Sequence, residues 1–263
     1  ATGGTAAAFT FEPHPLKILA PGRSPKLLST FREKMERIEA SGMEVVICAK
    51  FTPEFASLNP EDFVRDVLVD SVGVKELFVG HDYAFGKDRK GDISFLRDAG
   101  ARYGFSVNVV GPVRVEGITV SSTKIRTLIM DGEVCLASKL LGRPYSIEGT
   151  VIKGHARGRG IGFPTANLTT PNELPPREGV YAVTLSVEGS QYKGAANIGL
   201  NPTFGDPEPS YEVFILDFEG DLYGKFLKMQ FIKRIRDEVK FKNADELVGQ
   251  IKKDVENIRS ILY

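Results

Sequence analysis

The first half of the chain alternates short apolar segments with segments that carry helix signals. The strand-like apolar runs cover residues 5–11, 45–51, 77–79 and 105–110. Between two of them, Asn59 and Pro60 open a helix as a side-chain cap followed by proline, and Gly73 ends it. Further helices are predicted at 30–41 and 95–103. Because strands that are separated by helices pair in parallel, the pattern predicts a doubly wound α/β sheet.

The pattern changes near residue 142, where helices give way to short β-like segments. These segments cover residues 147–153, 180–187, 192–198, 211–216 and 227–232. Gly- and Pro-rich turns separate them, which favours an antiparallel barrel or sandwich. A final helix is predicted after Asn243, and one apolar stripe along it would pack on the barrel. The stripe consists of Leu247, Ile251, Val255, Ile258 and Leu262. We therefore predict two domains, 1–141 and 142–263.

The composition is that of an ordinary globular protein, and the length of 263 residues suits about two domains. The 34 Lys and Arg residues balance the 34 Asp and Glu residues, which argues against binding of nucleic acid or membrane through bulk charge. No apolar run approaches the roughly 20 residues of a transmembrane helix. Cys48 and Cys135 lie far apart, which argues against a zinc site and suits a reducing cytoplasm. We expect a cytoplasmic protein with small-molecule partners, and the oligomeric state stays open.

The most informative stretch is KGHARGRGIGFPTANL at residues 153–168. Glycines let a backbone approach a ligand closely and present N–H groups to an anion, and those in this loop are Gly158, Gly160 and Gly162. The hydroxyl of Thr165 and the amide oxygen of Asn167 are hard ligands, which Mg²⁺ accepts together with phosphate and water. Two interpretations stay open at this point, a cradle for a magnesium nucleotide and an exposed turn that contacts RNA.

Polar motifs follow successive elements of the α/β half. His14 lies in EPHP after the first predicted strand, and Asp82 lies in GHDYAFG after the third. Open α/β sheets place ligand loops at such strand ends. Ser122, Thr123 and Arg126 belong to SSTKIR, a helix start whose free N–H groups, hydroxyls and cations can bind a phosphate. The alternatives are that the histidine is a turn residue and that the hydroxyls merely cap a helix.

The segment GRGIGFPTAN resembles the signature of riboflavin kinases, and the resemblance extends from about residue 141 to the C-terminus. Other similar segments are GVY at 179–181, NIG at 197–199, NPTFG at 201–205, YEV at 211–213 and RDE at 236–238. The resemblance implies a six-stranded antiparallel barrel with a C-terminal helix. Such a barrel would transfer the γ-phosphoryl group of ATP to the ribityl 5′-hydroxyl of riboflavin, which gives FMN.

The same resemblance implies roles for individual residues. Thr165 and Asn167 would bind Mg²⁺ together with the nucleotide. The residues that would cover the ATP or ADP phosphates are Gly158, Gly160, Gly162 and Pro164. Glu212 would be the general base that takes the proton of the attacking hydroxyl. Arg236 would belong to a flap on the flavin side, and the alternative is a surface ion pair with one of the two acidic residues that follow it.

The motifs of the first half resemble those of the bacterial bifunctional riboflavin kinase/FAD synthetases. The similar segments are FEPHP, FTPEFASLNPEDFV, VGHDYAFG and SSTKIR. In that family this module is a Rossmann-like nucleotidyltransferase, an FMN adenylyltransferase that joins AMP from ATP to FMN and releases FAD and pyrophosphate. The resemblance implies a nucleotide and flavin-phosphate site lined by His14, Asp82, Ser122, Thr123 and Arg126.

The HxGH motif, with which that superfamily binds phosphate, does not occur in this sequence. It belongs one helix ahead of FEPHP, and the first residue is Ala1 rather than Met. We therefore expect the adenylyltransferase domain, 1–141, to be incomplete at its N-terminus. Three functions stay open: an enzyme with both activities, a riboflavin kinase whose first half is inactive, and a barrel that binds RNA.

Overall fold

The computed structural model describes residues 3–153, 162–201 and 208–263. The chain forms two compact units. The first unit combines Ala1–Pro25 with Phe31–Thr119, and the second combines Lys26–Thr30 with Val120–Tyr263.

The first unit contains parallel strand pairs and helices. Its strands are β1 (Ala7–Glu12), β2 (Val45–Lys50), β3 (Glu76–Gly80), β4 (Ser106–Val110), β5 (Arg114–Val115) and β6 (Ile118–Thr119). Its helices are α1 (Pro15–Leu19), α2 (Phe31–Ala40), α3 (Pro53–Ala56), α4 (Pro60–Asp62, continuing as the π-helical segment Phe63–Ser71) and α5 (Ile93–Tyr103).

The parallel pairing predicted for this unit is confirmed. Strand β1 pairs with β2, and β3 pairs with β4, both in parallel. Over the described residues these pairs are separate two-stranded sheets, whereas the sequence pattern predicts one doubly wound sheet. Within that part of the chain, neither strand of the β1–β2 pair shares a backbone ladder with β3 or β4.

The helices of the first unit supply its apolar core. The π-helical segment packs Phe63, Val64 and Leu68 into a cluster with Leu96 of α5. The predicted helix start is confirmed, since the Asn59 side chain accepts a hydrogen bond from the backbone N–H of Asp62 at 2.9 Å. The periodic apolar positions seen in the sequence therefore form the buried face of this unit.

The second unit contains a closed six-stranded barrel, as the sequence predicts. Its strands are β7 (Tyr145–Ile152), β8 (Ala166–Thr169), β9 (Gly179–Val187), β10 (Ser190–Asn201), β11 (Glu208–Ile215) and β12 (Phe226–Arg236). They are all antiparallel and follow the order β10–β11–β8–β7–β12–β9 around the barrel. The completely buried side chains of the barrel include those of Tyr145, Ile147, Tyr181, Leu185 and Phe231.

Three helices complete this unit: α6 (Ser122–Met130), α7 (Val134–Leu141) and α8 (Ala244–Leu262). Helix α8 is the predicted terminal helix, and its Ile258 is buried against Val180 and Ala182 of β9. The side chain of Asn243 caps its start. Because α6 and α7 belong to the same compact unit as the barrel, that unit begins before residue 142. The division into functional domains at 141/142 stays a prediction.

Candidate active site

Two residues predicted for one reaction, Asn167 and Glu212, are directly paired across the antiparallel strands β8 and β11. On the other side of β11, Asn197 of β10 is paired with Glu212. Side chains of directly paired residues lie on the same face of a sheet. Tyr211 and Val213, the chain neighbours of Glu212, are buried in the barrel. The polar row formed by Asn167, Glu212 and Asn197 therefore lies on the outer face.

The segment that leads into β8 is anchored on the strand that carries the predicted base. The ring of Phe163 packs edge-on against the ring of Phe214 in β11, with centroids 5.3 Å apart. Gly162 has a φ of 84°, in the left-handed region that favours glycine. The chain can therefore turn at this glycine and then run along the outer face of β11 into β8.

The predicted magnesium ligands Thr165 and Asn167 both carry a neutral side-chain oxygen, and both are half-buried. Mg²⁺ keeps several waters and is usually held by few protein oxygens together with substrate phosphates. These oxygens, with the Glu212 carboxylate beside them, fit that donor set. Pro164 is exposed next to them. The predicted phosphate-binding residues that lie outside the described part of the chain are Gly158 and Gly160.

A cleft of about 490 Å³ opens in the same unit, which is a usual size for a small-molecule site. Its apolar lining consists of Met130, Pro175, Pro176, Ile198, Leu200 and Pro209. The rest of its lining consists of Arg177, Glu178, Gly199, Asp237 and Glu238. Gly199 follows Asn197 by two residues along β10, so both lie on the same face of the strand. The cleft therefore meets the outer face that carries the polar row at Gly199, whereas Ile198 and Leu200 line it from the opposite face of β10.

One wall of the cleft is organised by Arg234, near the end of β12. Its Nη2 donates hydrogen bonds to the carbonyl oxygen of Glu178 at 2.5 Å and to Asp237 Oδ1 at 2.6 Å. The hydrogen bond from Arg234 lowers the pKa of the Asp237 carboxyl. A Cβ at Gly132 or Gly179 would lie only 2.5 Å or 2.8 Å from the Arg234 side chain. The absence of side chains at these two glycines therefore provides the space in which the Arg234 side chain reaches the cleft wall.

Arg236, which the resemblance assigns to the flavin side, forms an ion pair with helix α8. Its Nη2 lies 2.7 Å from Asp254 Oδ2, and its Nε lies 2.9 Å from the same oxygen. Gln250 also donates to Asp254 Oδ1, at 2.8 Å. The partner of Arg236 is thus a residue of α8 rather than an acidic neighbour in the chain. Arg236 is not among the described residues that line the cleft, and its contact with the flavin stays a prediction.

The predicted adenylyltransferase residues of the first unit lie at the ends of strands. His14 follows β1, and its Nδ1 accepts a hydrogen bond from the N–H of Leu16 at 3.2 Å, which caps helix α1. His14 therefore acts as a helix-capping residue in the turn after β1, as the alternative interpretation of its motif predicts. Asp82 is exposed directly after β3, and its Oδ1 would lie 3.3 Å from a Cβ at Gly80.

The remaining adenylyltransferase residues begin helix α6 in the second unit. The cap is Ser121, whose hydroxyl accepts from the N–H of Lys124 at 3.2 Å. Ser122 and Thr123 form the first turn and are exposed. Arg126 Nε donates to the carbonyl oxygen of Lys26 at 2.7 Å, and burial lowers the pKa of Arg126. Ser121 thus caps the helix, and the hydroxyls of Ser122 and Thr123 are not its N-cap.

Sequence reasoning did not single out Asn197, Arg234, Glu238 or Asp254. The one clear signal concerns Asp254, which lies three residues after Ile251 and four before Ile258, next to the apolar stripe of α8, and is buried. A charged residue beside such a stripe indicates a buried partner. The other three contacts depend on barrel register, which local sequence does not carry.

Comparison with known proteins places both halves of the chain. The family model described as riboflavin kinase matches residues 141–262, and that described as FAD synthetase matches residues 1–124. The chain is 40% identical over 245 residues to the bifunctional riboflavin kinase/FMN adenylyltransferase of Escherichia coli strain K12, covering 93% of this chain and 78% of that protein. It is 42% identical over 262 residues to the protein of the same description from Bacillus subtilis strain 168, covering 96% and 81%.

A solved structure is also similar over nearly the whole chain. A macrolide-efflux protein from Streptococcus pneumoniae aligns with a TM-score of 0.87 and 34% identity, covering 97% of this chain and 83% of that one. In the described parts of this chain, each helix is too short or too polar to cross a membrane.

A parallel-strand α/β unit followed by a barrel with an oxygen-rich row beside a cleft defines a two-domain, nucleotide-dependent transferase. With the relatives at 40% and 42% identity, the class can be narrowed further. The chain belongs to the family of bifunctional riboflavin kinase/FMN adenylyltransferases. The predicted resemblance is therefore confirmed for both halves.

Proposed function

We propose that riboflavin is phosphorylated on the outer face of the barrel, at the polar row. The chain is a riboflavin kinase and FMN adenylyltransferase. It converts riboflavin and ATP to FMN and ADP, and it converts FMN and ATP to FAD and pyrophosphate. The observation that supports this location is the direct pairing of Asn167 with Glu212, on the face that the cleft meets at Gly199.

Glu212 acts as the general base of the kinase. Its carboxylate takes the proton of the ribityl 5′-hydroxyl while that oxygen attacks the γ-phosphorus of ATP. The bond from the γ-phosphorus to the β–γ bridging oxygen breaks, ADP leaves, and the base later returns its proton to solvent. A positioned base contributes about 10²–10⁴ in rate. In-line placement and neutralisation of phosphate charge account for most of the remainder.

Thr165 and Asn167 hold the Mg²⁺ that accompanies the nucleotide, through one hydroxyl and one amide oxygen. When bound, this ion neutralises charge on the phosphates. The loop that covers the phosphates consists of Gly158, Gly160, Gly162 and Pro164. Because Asn167 is paired with Glu212, a nucleotide held by Asn167 would lie beside the base.

The cleft receives the flavin. Apolar side chains such as Met130 and Leu200 suit the isoalloxazine ring, and the polar rim suits the ribityl hydroxyls. Since the cleft reaches the outer face at Gly199, two residues from Asn197, which is paired with Glu212, the ribityl chain can lead from the ring to Glu212. Arg236, held by its ion pair with Asp254 of α8, belongs to the flavin-side flap and binds the flavin. We assign the kinase to residues 142–263.

We assign adenylyl transfer to residues 1–141, with His14 and Asp82 acting from the strand ends. Ser122, Thr123 and Arg126 bind phosphate at the first turn of α6, where the hydroxyls are exposed. We place the enzyme in the cytoplasm, because its two cysteines are free and exposed. Its partners are small molecules, namely ATP, riboflavin, FMN and FAD.

The test is to incubate the protein with riboflavin, ATP and Mg²⁺ and to separate the flavins by chromatography. We expect both FMN and FAD. FMN without FAD would show that the first half is inactive in this chain. If neither FMN nor FAD forms, the kinase is excluded and the RNA-binding alternative is favoured. A filter-binding assay with single-stranded RNA then checks that alternative.

A further inference from the structure

The carboxylate of Glu238 lines the cleft and is held over strand β10. Its Oε1 accepts a hydrogen bond from Asn197 Nδ2 at 2.9 Å. A Cβ at Gly199 would lie 2.6 Å from the same oxygen and 3.2 Å from Glu238 Cδ. Asn197 therefore binds this carboxylate, and the missing side chain of Gly199 provides the space for it.

Asp237, the chain neighbour of Glu238, is paired with two arginines, whereas Glu238 is paired with none in the part of the chain that the structure describes. Asp237 lies 2.6 Å from Arg234 Nη2 and 3.3 Å from Arg177 Nη2. Within the described ranges, Glu238 forms no ion pair, and its Oε2 receives no hydrogen bond. Among the carboxylates of the cleft, that of Glu238 is therefore fixed through Oε1 by Asn197, and its Oε2 receives no hydrogen bond from the described residues.

This carboxylate lies on the path from the cleft to the base. Gly199 and Asn197 are two residues apart on β10, which separates them by about 7 Å along the strand. Asn197 is the register partner of Glu212. A ligand that fills the cleft and reaches Glu212 with its far end therefore passes Glu238 with its middle part.

We propose that Glu238 is a specificity-determining residue of the kinase, whose carboxylate binds a ribityl hydroxyl of riboflavin and disfavours the phosphorylated product. The inference rests on the proposed function of the cleft. An ionised acceptor forms stronger hydrogen bonds with hydroxyl donors than a neutral one does. The same charge repels the phosphate of FMN. Asn197 and Gly199 are positioning residues, since they act through Glu238.

The test separates the charge of Glu238 from its hydrogen bond. Dissociation constants for riboflavin and FMN are measured by quenching of flavin fluorescence, with Mg–ADP present. In Glu238→Gln, which keeps an acceptor and loses the charge, we expect FMN to bind about fivefold more tightly, with riboflavin within about twofold of wild type. In Glu238→Ala, we expect riboflavin to bind about tenfold more weakly.

Two further variants complete the design. Asn197→Ala should weaken riboflavin binding in the same direction as Glu238→Ala but less, because the carboxylate remains and only its anchor is lost. Glu219→Gln changes an exposed glutamate that does not line the cleft, so both dissociation constants should match wild type. Circular dichroism verifies that each variant is folded.

Wild-type binding of both flavins by Glu238→Ala and Glu238→Gln, in a protein that forms FMN, would overturn this inference and leave the proposed function intact. A wild-type protein that forms no FMN would contradict the proposed function and this inference together.

Discussion

Asn167 and Glu212 occupy the same register of neighbouring strands and the same outer face of the barrel. Neighbouring strands are about 4.8 Å apart, so the two side chains can reach one ligand from adjacent positions. Asn167 carries an amide oxygen that suits a magnesium nucleotide, and Glu212 carries a carboxylate that suits a general base. Under the proposed function, this pairing brings the phosphoryl donor close to the acceptor hydroxyl.

Loss of the amide oxygen of Asn167 should affect nucleotide use in the kinase alone. We expect Asn167→Ala to raise the KM for Mg–ATP in FMN formation by roughly ten- to a hundredfold, since a ligand of the charged complex is removed. FAD formation from supplied FMN should be unchanged. Steady-state kinetics at several Mg²⁺ concentrations measure this, with Asn257→Ala, exposed on α8, as the control. An unchanged Mg²⁺ dependence would argue against Asn167 as a ligand.

The adjacent serines 121 and 122 should separate capping from phosphate binding. Ser121 caps α6, so Ser121→Ala should lower the free energy of unfolding by about 1 kcal/mol. Ser122 does not cap the helix, so Ser122→Ala should leave stability unchanged and lower the rate of FAD formation from FMN several-fold. Urea titration and a coupled pyrophosphate assay measure the two effects. A normal FAD rate in Ser122→Ala would contradict its assigned role.

The ion pair between Arg236 and Asp254 should contribute strongly to stability. Only 21% and 7% of the two side chains are exposed, and removal of one partner leaves a poorly solvated charge. We expect Asp254→Asn to lower the free energy of unfolding by about 3 kcal/mol. Glu256→Gln, an exposed change on the same helix, is the control in chemical denaturation. Equal stability of the two variants would contradict the contribution of this pair.

Alkaline pH should destabilise the barrel through Tyr211. Burial raises the pKa of this phenol to about 12, from an ordinary value of about 10. A raised pKa favours the protonated folded state, so the stabilisation is complete below pH 10 and is lost as the pH rises toward 12.

In that range, the free energy of unfolding of the wild type should fall with pH by about 1.4 kcal/mol per unit more steeply than that of Tyr211→Phe. Urea denaturation at a series of pH values measures the slopes. Tyr263→Phe serves as the control, because 73% of Tyr263 is exposed. Parallel curves for wild type and Tyr211→Phe would contradict the argument.

The barrel shows which features local sequence can predict. The segment predicted at 180–187 corresponds to β9, Gly179–Val187, because it is a nearly continuous apolar run that is buried along most of its length. Strand β8 was not predicted, since its four residues include a single buried side chain, Leu168, and show no usable alternation. Yet β8 carries Asn167 and joins β11 to β7. Asn167 was predicted as a metal ligand from its motif, whereas its position beside Glu212 required the strand pairing.

The sequence does not predict which residues pair with the charged side chains, and the reason is physical. Successive side chains of a strand point to opposite faces, so adjacency in the chain does not place the carboxylate of Asp237 against Arg236. Arg236 Nη1 instead donates to the backbone carbonyl oxygen of Asp237 at 2.9 Å. The ion-pair partner of Arg236 is Asp254, 18 residues away on another element. The contact of Glu238 with Asn197 likewise spans 41 residues. In the first unit, parallel pairing followed from the strand–helix order, whereas the joining of the pairs into one sheet did not.

The most direct test of the central claim is Glu212→Gln, measured in two reactions side by side. With riboflavin, ATP and Mg²⁺, we expect kcat for FMN formation to fall by about 10²–10⁴, with the affinity for Mg–ADP nearly unchanged. With FMN supplied in place of riboflavin, FAD formation should proceed at the wild-type rate. FMN formation at the wild-type rate, or a large loss of ADP affinity, would contradict the assignment of Glu212 as the base on the outer face of the barrel.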